Sequence, residues 1–212
     1  MTWKINPYIP GWNGLPILNI IAEYAAAVPE NGLIVELGAL FGRSTYSLGW
    51  NKKESVKLVT IDIWTDIHLK NHPRGIYDPN TCGERESVIL NSRIKQPENM
   101  LSSLDYVNMW ALWTKDIPNL CPRKGRTSQP NVDLPNIDFI YHDANHTYEG
   151  VRDDLIHWWP NLKPGGVFII DDYERQFEGL MRAVNEFMMA NNLGPHAEVL
   201  PTNRNLLIRK PL

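Results

Sequence analysis

The amino-acid sequence predicts an α/β fold, with helices on both faces of a doubly wound sheet of seven strands. Short apolar, β-branched runs alternate with longer segments whose apolar residues recur at helical spacing, which is typical of parallel strands joined by helices. The last two apolar runs are separated by one short turn, so they must pair as an antiparallel hairpin in a sheet that is otherwise mostly parallel. The 212 residues suffice for one such domain, which we predict over 1–212.

The first part of the chain predicts two helices and two strands. A lead rich in Pro, Gly and Trp and a helix over 16–28 form an N-terminal helical segment at 1–29. LIVELG at 33–38 predicts the first strand, and the following ALFGRSTYSLGW predicts a helix after a glycine turn. VKLVTID at 56–62 predicts the second strand, which ends in an acid.

The middle of the chain is less regular. Residues 63–104 are polar, with Pro and Gly early and helical spacing later, so we predict an insertion that begins as a lid or substrate loop and continues as a helix. YVNMWALW at 106–113 predicts the third strand, and TKDIPNL after it predicts a short helix. The tract 121–136 has the composition of a surface loop.

The last third of the chain returns to the regular alternation. IDFIYHD predicts a strand, and TYEGVRDDLIHWWPNL predicts a helix that stops near KPGG. GVFIIDDY predicts a strand that ends in two acids, and 176–191 predicts a helix. AEVLPTNRNLLIRK predicts the terminal hairpin, with its turn at PTNRN.

Composition argues against several classes of function. The formal net charge is −3, so we expect no nucleic-acid partner, because proteins that follow a phosphate backbone carry a basic surface. Cys82 and Cys121 lie far apart without a CxxC motif or a histidine cluster, so neither a disulfide framework nor a zinc site is predicted. We see no export signal and no apolar run near the roughly 20 residues that span a bilayer. We therefore expect a cytoplasmic protein without a membrane partner.

Polar and small residues stand at the ends of the predicted strands. Ligands of doubly wound sheets bind beyond the carboxyl ends of the strands, where the strand order reverses. Each of these residues alone is typical of a cap or a turn, but their placement at five successive strand ends indicates one ligand site. They fall at 36–42, 62, 114–116, 143–146 and 171–172.

The glycine turn after the first strand predicts what kind of ligand this is. The spacing Gly38-x-x-x-Gly42 differs from the GxGxxG turn that binds a pyrophosphate, and Glu36 would repel a phosphate but attract an ammonium group. Asp62 ends the second strand at close to the spacing of a ribose-binding acid. The ligand should therefore resemble adenosine and carry positive charge.

Two stretches resemble a known family. IVELGALFGRST resembles the first motif of class I S-adenosylmethionine-dependent methyltransferases, in the catechol and macrocin O-methyltransferase-like branches. IDFIYHDANHTYEGVRDDLIHWWPNLKPGGVFIIDDY is similar to the long central motif of the macrocin-like branch. The resemblance covers about residues 30–65 and 104–175, and it implies a Rossmann-like fold with S-adenosylmethionine as the cofactor.

The resemblance also implies which residues bind the cofactor. The glycine turn and Ser44 would hold the methionine moiety, with Glu36 near its sulfonium and amino end. A carboxylate at position 62 would accept hydrogen bonds from both ribose hydroxyls. The predicted cofactor residues are Glu36, Gly38, Ala39, Gly42 and Ser44 around methionine, Asp62 and Ile63 around ribose and adenine, Thr114 and Asp116 beside adenine, and Asp143.

A second group of residues is implied to bind a metal. Asp143, Asp171 and Asp172 match the positions where metal-dependent members hold Mg²⁺ with three oxygen side chains, and such hard ligands suit that ion. His146 matches the general base, since an imidazole accepts a proton at neutral pH. A structural role remains an alternative for His146, such as bonding Tyr148 or a backbone carbonyl. His142 is expected to pack in the fold or to touch the cofactor.

These expectations favour one function over three others. The favoured function is Mg²⁺-dependent O-methylation of a small-molecule hydroxyl, on a sugar or another polyhydroxylated compound. The alternatives are a metal-free methyltransferase of the same fold that acts on nitrogen or a protein side chain, a nucleotide- or NAD-binding protein, and a non-catalytic module. The N-terminal aromatic residues Trp3, Tyr8 and Trp12 either close the site or pack on a partner subunit of a homo-oligomer.

Overall fold

The structure is a computed structural model that describes residues 2–64, 103–128 and 134–212. The predicted insertion at 63–104 lies outside the described residues except at its two ends. Among the described residues, no helix is both long enough and apolar enough to cross a bilayer. The helices are α1 (Leu15–Ala27), α2 (Arg43–Asn51), α3 (Ser103–Thr114), α4 (Tyr148–Trp158) and α5 (Glu178–Ala190).

Seven strands form one sheet with the order β3-β2-β1-β4-β5-β7-β6. The pairs among the first five strands are parallel, and β7 runs antiparallel to both of its neighbours. The predicted mostly parallel sheet with an antiparallel C-terminal hairpin is confirmed. The strands are β1 (Leu33–Leu37), β2 (Lys57–Asp62), β3 (Leu120–Lys124), β4 (Ile137–His142), β5 (Leu162–Ile170), β6 (Ala197–Val199) and β7 (Leu206–Arg209).

The predicted strand at 106–113 is wrong, because these residues belong to α3. Trp110 and Thr114 are buried whereas Leu112 is 62% exposed. In a strand all three side chains would share one face, but in a helix positions four apart share a face and the position between them does not. The aromatic and β-branched residues of YVNMWALW raise strand propensity, and the helical packing of Trp110 overrides it.

The third strand instead lies at Leu120–Lys124, where we predicted the start of a surface loop. It pairs in parallel with β2 at the edge of the sheet, and most of its side chains are exposed, so its composition is polar. An edge position also tolerates Pro122, which has no N–H to donate to a ladder. The predicted short helix over TKDIPNL is wrong as well, since the chain there forms turns between α3 and β3.

The chain divides into two compact units. The first contains the described parts of Met1–Ala27, Ala39–Lys52 and Ile63–Pro118, with α1, α2 and α3. The second contains the described parts of Val28–Gly38, Lys53–Asp62 and Asn119–Leu212, with the whole sheet, α4 and α5. The assignment of the chain to one domain stays a prediction.

The first unit is organised around a buried arginine at the start of α2. The Arg43 guanidinium donates to the carbonyl oxygens of Ile9, Asn13 and Pro7 at 2.5, 2.9 and 3.1 Å. Arg43 is 2% exposed, so these bonds satisfy a charge that would be costly to bury without partners. They fix the N-terminal segment against α2.

The second unit is held by apolar packing of α4 and α5 on one face of the sheet. Ile140 and Phe168 from the strands form a continuous buried cluster with Leu155, Trp158 and Val184 from the two helices. Full burial of side chains of this size stabilises the fold by about 1.5–3 kcal/mol each. The C-terminal ends of the strands are thereby attached to a rigid layer.

Gly38, directly after β1, is required by the close approach of a neighbouring strand end. Its φ of 88° is in the left-handed region. A Cβ at this position would lie against the Asp143 carbonyl, 2.6 Å from its carbon and 2.9 Å from Cα of Ala144. Only glycine allows the chain leaving β1 to pass under the chain leaving β4.

We expect Gly38→Ala to destabilise the protein by more than about 2 kcal/mol, because backbone must move to admit the methyl group. Urea denaturation of the variant measures the loss. Gly125→Ala is the matched control, since a Cβ there meets no atom within 4 Å. Equal stabilities of the two variants would contradict the packing role of Gly38.

Candidate functional site

Backbone hydrogen bonds tie four strand ends together in the second unit. Gly38 N–H donates to the Ile61 carbonyl at 2.9 Å, and Asp143 N–H donates to the Leu37 carbonyl at 2.8 Å. Asp171 N–H donates to the His142 carbonyl at 2.9 Å. The residues that follow β1, β4 and β5 are therefore placed by the parallel ladder itself, which continues one step beyond the strands.

Three carboxylates and one imidazole meet where β4 and β5 end. Asp143 follows β4, and Asp171 and Asp172 follow β5. One ligand atom from each of Asp143, His146 and Asp172 lies within 4.8 Å of the others, close enough to hold one metal ion. This acid cluster, defined as Asp143, His146, Asp171 and Asp172, is the group that the sequence predicted for metal binding and catalysis.

Burial and crowding raise the pKa values of two of the acids. Burial and the charges of Asp143 and Asp172 raise the pKa of Asp171 to about 7. Burial, and then the charge of Asp143, also raises the pKa of Asp172, although His146 and Arg204 oppose the rise. Like charges held at short range disfavour ionisation, so the cluster favours added positive charge, either protons or a cation.

His146 faces two of the acids. Its Nε2 lies 3.8 Å from Asp143 Oδ1, and its Nδ1 lies 3.6 Å from Asp172 Oδ2. Burial opposes the charged imidazolium, but the interactions with Asp143, Asp172 and Asp171 outweigh it, and the pKa of His146 is raised. The ring packs edge-on against Phe177. Nε2 is buried and has no hydrogen-bond partner among the described residues.

The suggested bond between His146 and Tyr148 does not form, because the Tyr148 hydroxyl donates to Glu186 at 2.5 Å on the outer surface of the helices. His142 is buried and lies 2.9 Å from Asp154 Oδ2 of α4, so it packs in the fold. The Asp154 carboxylate also accepts a bond from Thr127 at 2.9 Å. His142 thus fixes the end of β4 to α4 from the face opposite Tyr141.

Asp171 is the most enclosed member of the cluster. Its Oδ2 accepts from the Tyr141 hydroxyl at 3.0 Å, and its Oδ1 accepts from Asn205 Nδ2 and, at 2.9 Å, from the N–H of Asp172. The same bond from Asp172 N–H supports the left-handed φ of 55° at Asp172. Both Asp171 oxygens therefore accept hydrogen bonds from groups of the protein.

Sequence reasoning missed two residues of the site, both from the turn between β6 and β7. Asn205 donates to Asp171, and the Arg204 guanidinium pairs with Asp172 and, at 3.1 Å, with Glu174. The strand order of the sheet could have predicted both residues. An antiparallel strand beside β5 must begin at the edge where β5 ends, so the residues just before β7 lie next to the acids.

The predicted cofactor residues of the second unit lie at the ends of β1 and β2. Glu36 is fully buried, and its Oε2 accepts from the Thr60 hydroxyl at 2.8 Å. Thr60 is its register partner on β2. Asp62 ends β2 and is partly exposed.

The predicted cofactor residues of the first unit surround a glycine turn. Gly42 has a φ of 93°, and a Cβ on it would lie 3.0 Å from Thr114 and 3.1 Å from Trp110. Trp110 donates to the Thr45 hydroxyl at 3.2 Å, and Trp64 donates to the Leu40 carbonyl at 3.2 Å. Two tryptophans that we had not singled out therefore shape this turn.

The remaining cofactor residues of the first unit differ in exposure. Ala39 and Ser44 are buried, whereas Ile63 and Asp116 are exposed. Thr114 does not end a strand as predicted. It ends α3, and its hydroxyl donates to the Trp110 carbonyl at 2.7 Å. The cofactor-binding roles of these residues stay predictions.

We expect Tyr141→Phe to lower the free energy of unfolding by about 1–3 kcal/mol, because it removes a buried donor to a carboxylate. Tyr148→Phe is the matched control, since the same atom is deleted from an exposed pair and should change stability by less than about 0.5 kcal/mol. Urea denaturation in EDTA at pH 8 compares them. Equal effects of both substitutions would show that the bond from Tyr141 to Asp171 does not contribute to the free energy of unfolding.

Comparison with known proteins agrees with this arrangement of strand ends. A family model described as a methyltransferase domain matches residues 35–173, which is more than half of the chain. The match begins in β1 and ends just after the two acids that follow β5. It therefore includes every strand end described above except the start of β7.

Solved structures share the fold at low sequence identity. The O-methyltransferase NovP is 15% identical with a TM-score of 0.66, over 94% of this chain and 81% of that one. CalS11, a TDP-rhamnose 3'-O-methyltransferase of calicheamicin biosynthesis, is 14% identical with a TM-score of 0.58, over 92% and 77%. An O-methyltransferase from Bacillus cereus in complex with SAH is 16% identical with a TM-score of 0.53, over 95% and 84%.

A search of curated protein sequences finds no match. The family model and the seven-stranded sheet nevertheless agree with each other and with the motifs at 33–44 and 137–173. The chain therefore belongs to the methyltransferase-domain family and has the fold of the class I S-adenosylmethionine-dependent methyltransferases.

Proposed function

We propose that this chain transfers a methyl group from S-adenosylmethionine to a hydroxyl of a small polyhydroxylated molecule, such as a sugar, with a divalent cation held at the acid cluster. The observation that carries the proposal is the meeting of Asp143, His146 and Asp172 beyond β4 and β5, within the region matched by the methyltransferase family. Such a group provides both a cation site and a base beside the reacting hydroxyl.

Buried and half-buried acids support the cofactor part of the proposal. Glu36 is a carboxylate in a fully buried position at the end of β1, and it suits the ammonium and sulfonium charges of S-adenosylmethionine better than a phosphate. Asp62 places a carboxylate at the next strand end, and a carboxylate accepts hydrogen bonds from ribose hydroxyls. The SAH complex of the Bacillus cereus enzyme supports the same choice of cofactor.

The chemistry of the donor set supports the cation part. Asp143 and Asp172 face a common position, and burial together with the repulsion between the acids raises the pKa of Asp171 and of Asp172, so a cation at this position would be favourable. Carboxylate oxygens suit Mg²⁺, which these two residues would hold with Asp171 as the third predicted ligand. A bound Mg²⁺ would lower the pKa of an acceptor hydroxyl and hold it in line with the methyl group.

His146 is the proposed general base. In the transfer, the hydroxyl oxygen forms a bond to the methyl carbon, and the bond from that carbon to sulfur breaks with its electron pair staying on sulfur. The proton of the hydroxyl passes to the imidazole, and S-adenosylhomocysteine leaves. The position of His146 between Asp143 and Asp172 supports this role, because the two carboxylates would stabilise the imidazolium that forms when the proton arrives.

A sugar acceptor is supported by one of the structural neighbours, since CalS11 acts on TDP-rhamnose. The alternative is methyl transfer to nitrogen or to a protein side chain without a metal. One observation favours this alternative. The Asp171 carboxylate already accepts hydrogen bonds from Tyr141, Asn205 and the Asp172 N–H, as expected for a carboxylate that orients its neighbours instead of binding a metal.

We also propose that the protein works in the cytoplasm on a dissolved small molecule. The wide spacing of Cys82 and Cys121, without a CxxC motif, supports a reducing compartment.

Calorimetry with S-adenosylhomocysteine tests the cofactor. We expect micromolar binding in EDTA and in Mg²⁺, no binding of NAD⁺, and at least tenfold weaker binding by Asp62→Asn, because the amide loses one ribose acceptor and the charge. Asp153→Asn is a matched control on the exposed side of α4. No binding of S-adenosylhomocysteine by the wild type would refute the proposed function.

For His146 we expect His146→Ala to lower turnover by about 10²–10⁴-fold while the affinities for S-adenosylhomocysteine and Mn²⁺ stay within about threefold of wild type. Transfer of labelled methyl to TDP-rhamnose and to catechol measures turnover, with and without EDTA. His146→Gln tests whether a polar side chain of similar size, without the basic imidazole, can sustain turnover. A loss of Mn²⁺ binding would make His146 a metal ligand, and a large fall in Tm would make it structural.

A further inference from the structure

Main-chain bonds, together with the bond from the Asn205 side chain to Asp171, anchor the turn between β6 and β7 beside the acid cluster. The N–H of Tyr173 donates to the Arg204 carbonyl at 2.7 Å, and the N–H of Leu200 donates to the Asn205 carbonyl at 2.8 Å. Ile170 and Leu206 are register partners at the end of β5. The position of the turn therefore does not depend on the Arg204 side chain.

The Arg204 side chain lies over Asp172 from the solvent side. Its Nη2 donates to Asp172 Oδ1, and its Nε lies 3.1 Å from Glu174 Oε1. The side chain is 46% exposed, whereas that of Asp172 is 15% exposed. Asp172 thus has one oxygen on the guanidinium, and its other oxygen, Oδ2, faces His146.

The backbone of Asp172 is held by contacts other than Arg204. The bond from its N–H to Asp171 Oδ1 fixes its left-handed backbone, and β5 fixes the residue before it. The main contribution of the guanidinium is therefore its charge. The Arg204 guanidinium is a positive charge beside the Asp172 carboxylate, so it repels a metal cation that binds to the same carboxylate. Solvent reduces this repulsion but does not remove it.

We propose that Arg204 is the resident counter-cation of the acid cluster, and that it competes with a divalent cation for Asp172 and so weakens the binding of that cation. This inference rests on the proposed cation site. Arg204 would then set the affinity of the site for the cation through its contact with Asp172.

The test compares Mn²⁺ and Mg²⁺ binding by the whole protein in the presence of S-adenosylhomocysteine, using calorimetry and, for Mn²⁺, electron paramagnetic resonance. We expect Arg204→Gln to bind Mn²⁺ about 3–10 times more tightly than the wild type, because the competing charge is lost. The gain should shrink as KCl is raised from about 50 mM to about 500 mM. Loss of a purely structural contact would weaken binding instead.

Two controls separate charge from packing. Arg204→Lys keeps the charge and should bind Mn²⁺ like the wild type. Arg209→Gln removes the same charge from the exposed far end of β7, where the side chain bonds the Gly165 carbonyl, and should also leave binding unchanged. Affinity for S-adenosylhomocysteine and Tm should be unaltered in all three variants.

The outcomes distinguish this inference from the function on which it rests. If the wild type binds Mn²⁺ and Arg204→Gln binds it equally or more weakly, Arg204 does not compete and the inference is overturned, while the cation site stands. If the wild type and Arg204→Gln both bind no Mn²⁺, the cation site falls, and the inference falls with it. Tighter binding by both Arg204→Gln and Arg209→Gln would assign the effect to net charge and also overturn it.

Discussion

The site depends on the close approach of the chain leaving β1 to the chain leaving β4. Gly38 permits that approach, and the bond from Asp143 N–H to the Leu37 carbonyl fixes its distance. The next bond, from Asp171 N–H to the His142 carbonyl, repeats the arrangement one strand further. Carboxylates that repel one another are therefore held together by the ladder of a sheet, and the apolar layer under α4 and α5 stabilises that arrangement.

This constraint explains why the cluster has chemistry that a surface group of acids lacks. On a mobile loop the acids would separate and ionise, but beyond β4 and β5 they stay close, and the pKa of Asp171 rises to about 7. The surroundings supply donors from fixed elements, with Tyr141 on β4 and Asn205 before β7. The fold thus sustains a local excess of negative charge next to one imidazole, which is the basis of the proposed methyl transfer.

The sequence predicted the interior of the fold better than its edges. The strands β1, β2, β4 and β5 are buried, so their apolar runs are unambiguous. The edge strand β3 is polar because its side chains are exposed, and it was taken for a loop. The aromatic residues of α3 resemble a strand until the burial of Trp110 and Thr114, four positions apart, is known.

In the candidate site, the residues that directly follow a strand were predictable from the sequence, and the residues that reach the site from distant positions were not. The acids and His146 follow apolar strands directly, so they could be found by reading along the chain. Arg204 and Asn205 are about 30 positions away from the acids that they contact, as are Tyr141 and Asp171 from each other. Such contacts follow from the strand order, and no pattern within the turn itself indicates them.

The strand order has a consequence for how the protein is made. In the sheet β7 lies between β5 and β6, although it is the last of the seven strands in the chain. Because a ribosome releases the chain from its N-terminal end, the acids after β5 emerge before the residues that cover them. Asp171 and Asp172 therefore gain Asn205 and Arg204 as neighbours only after the turn that precedes β7 has been synthesised.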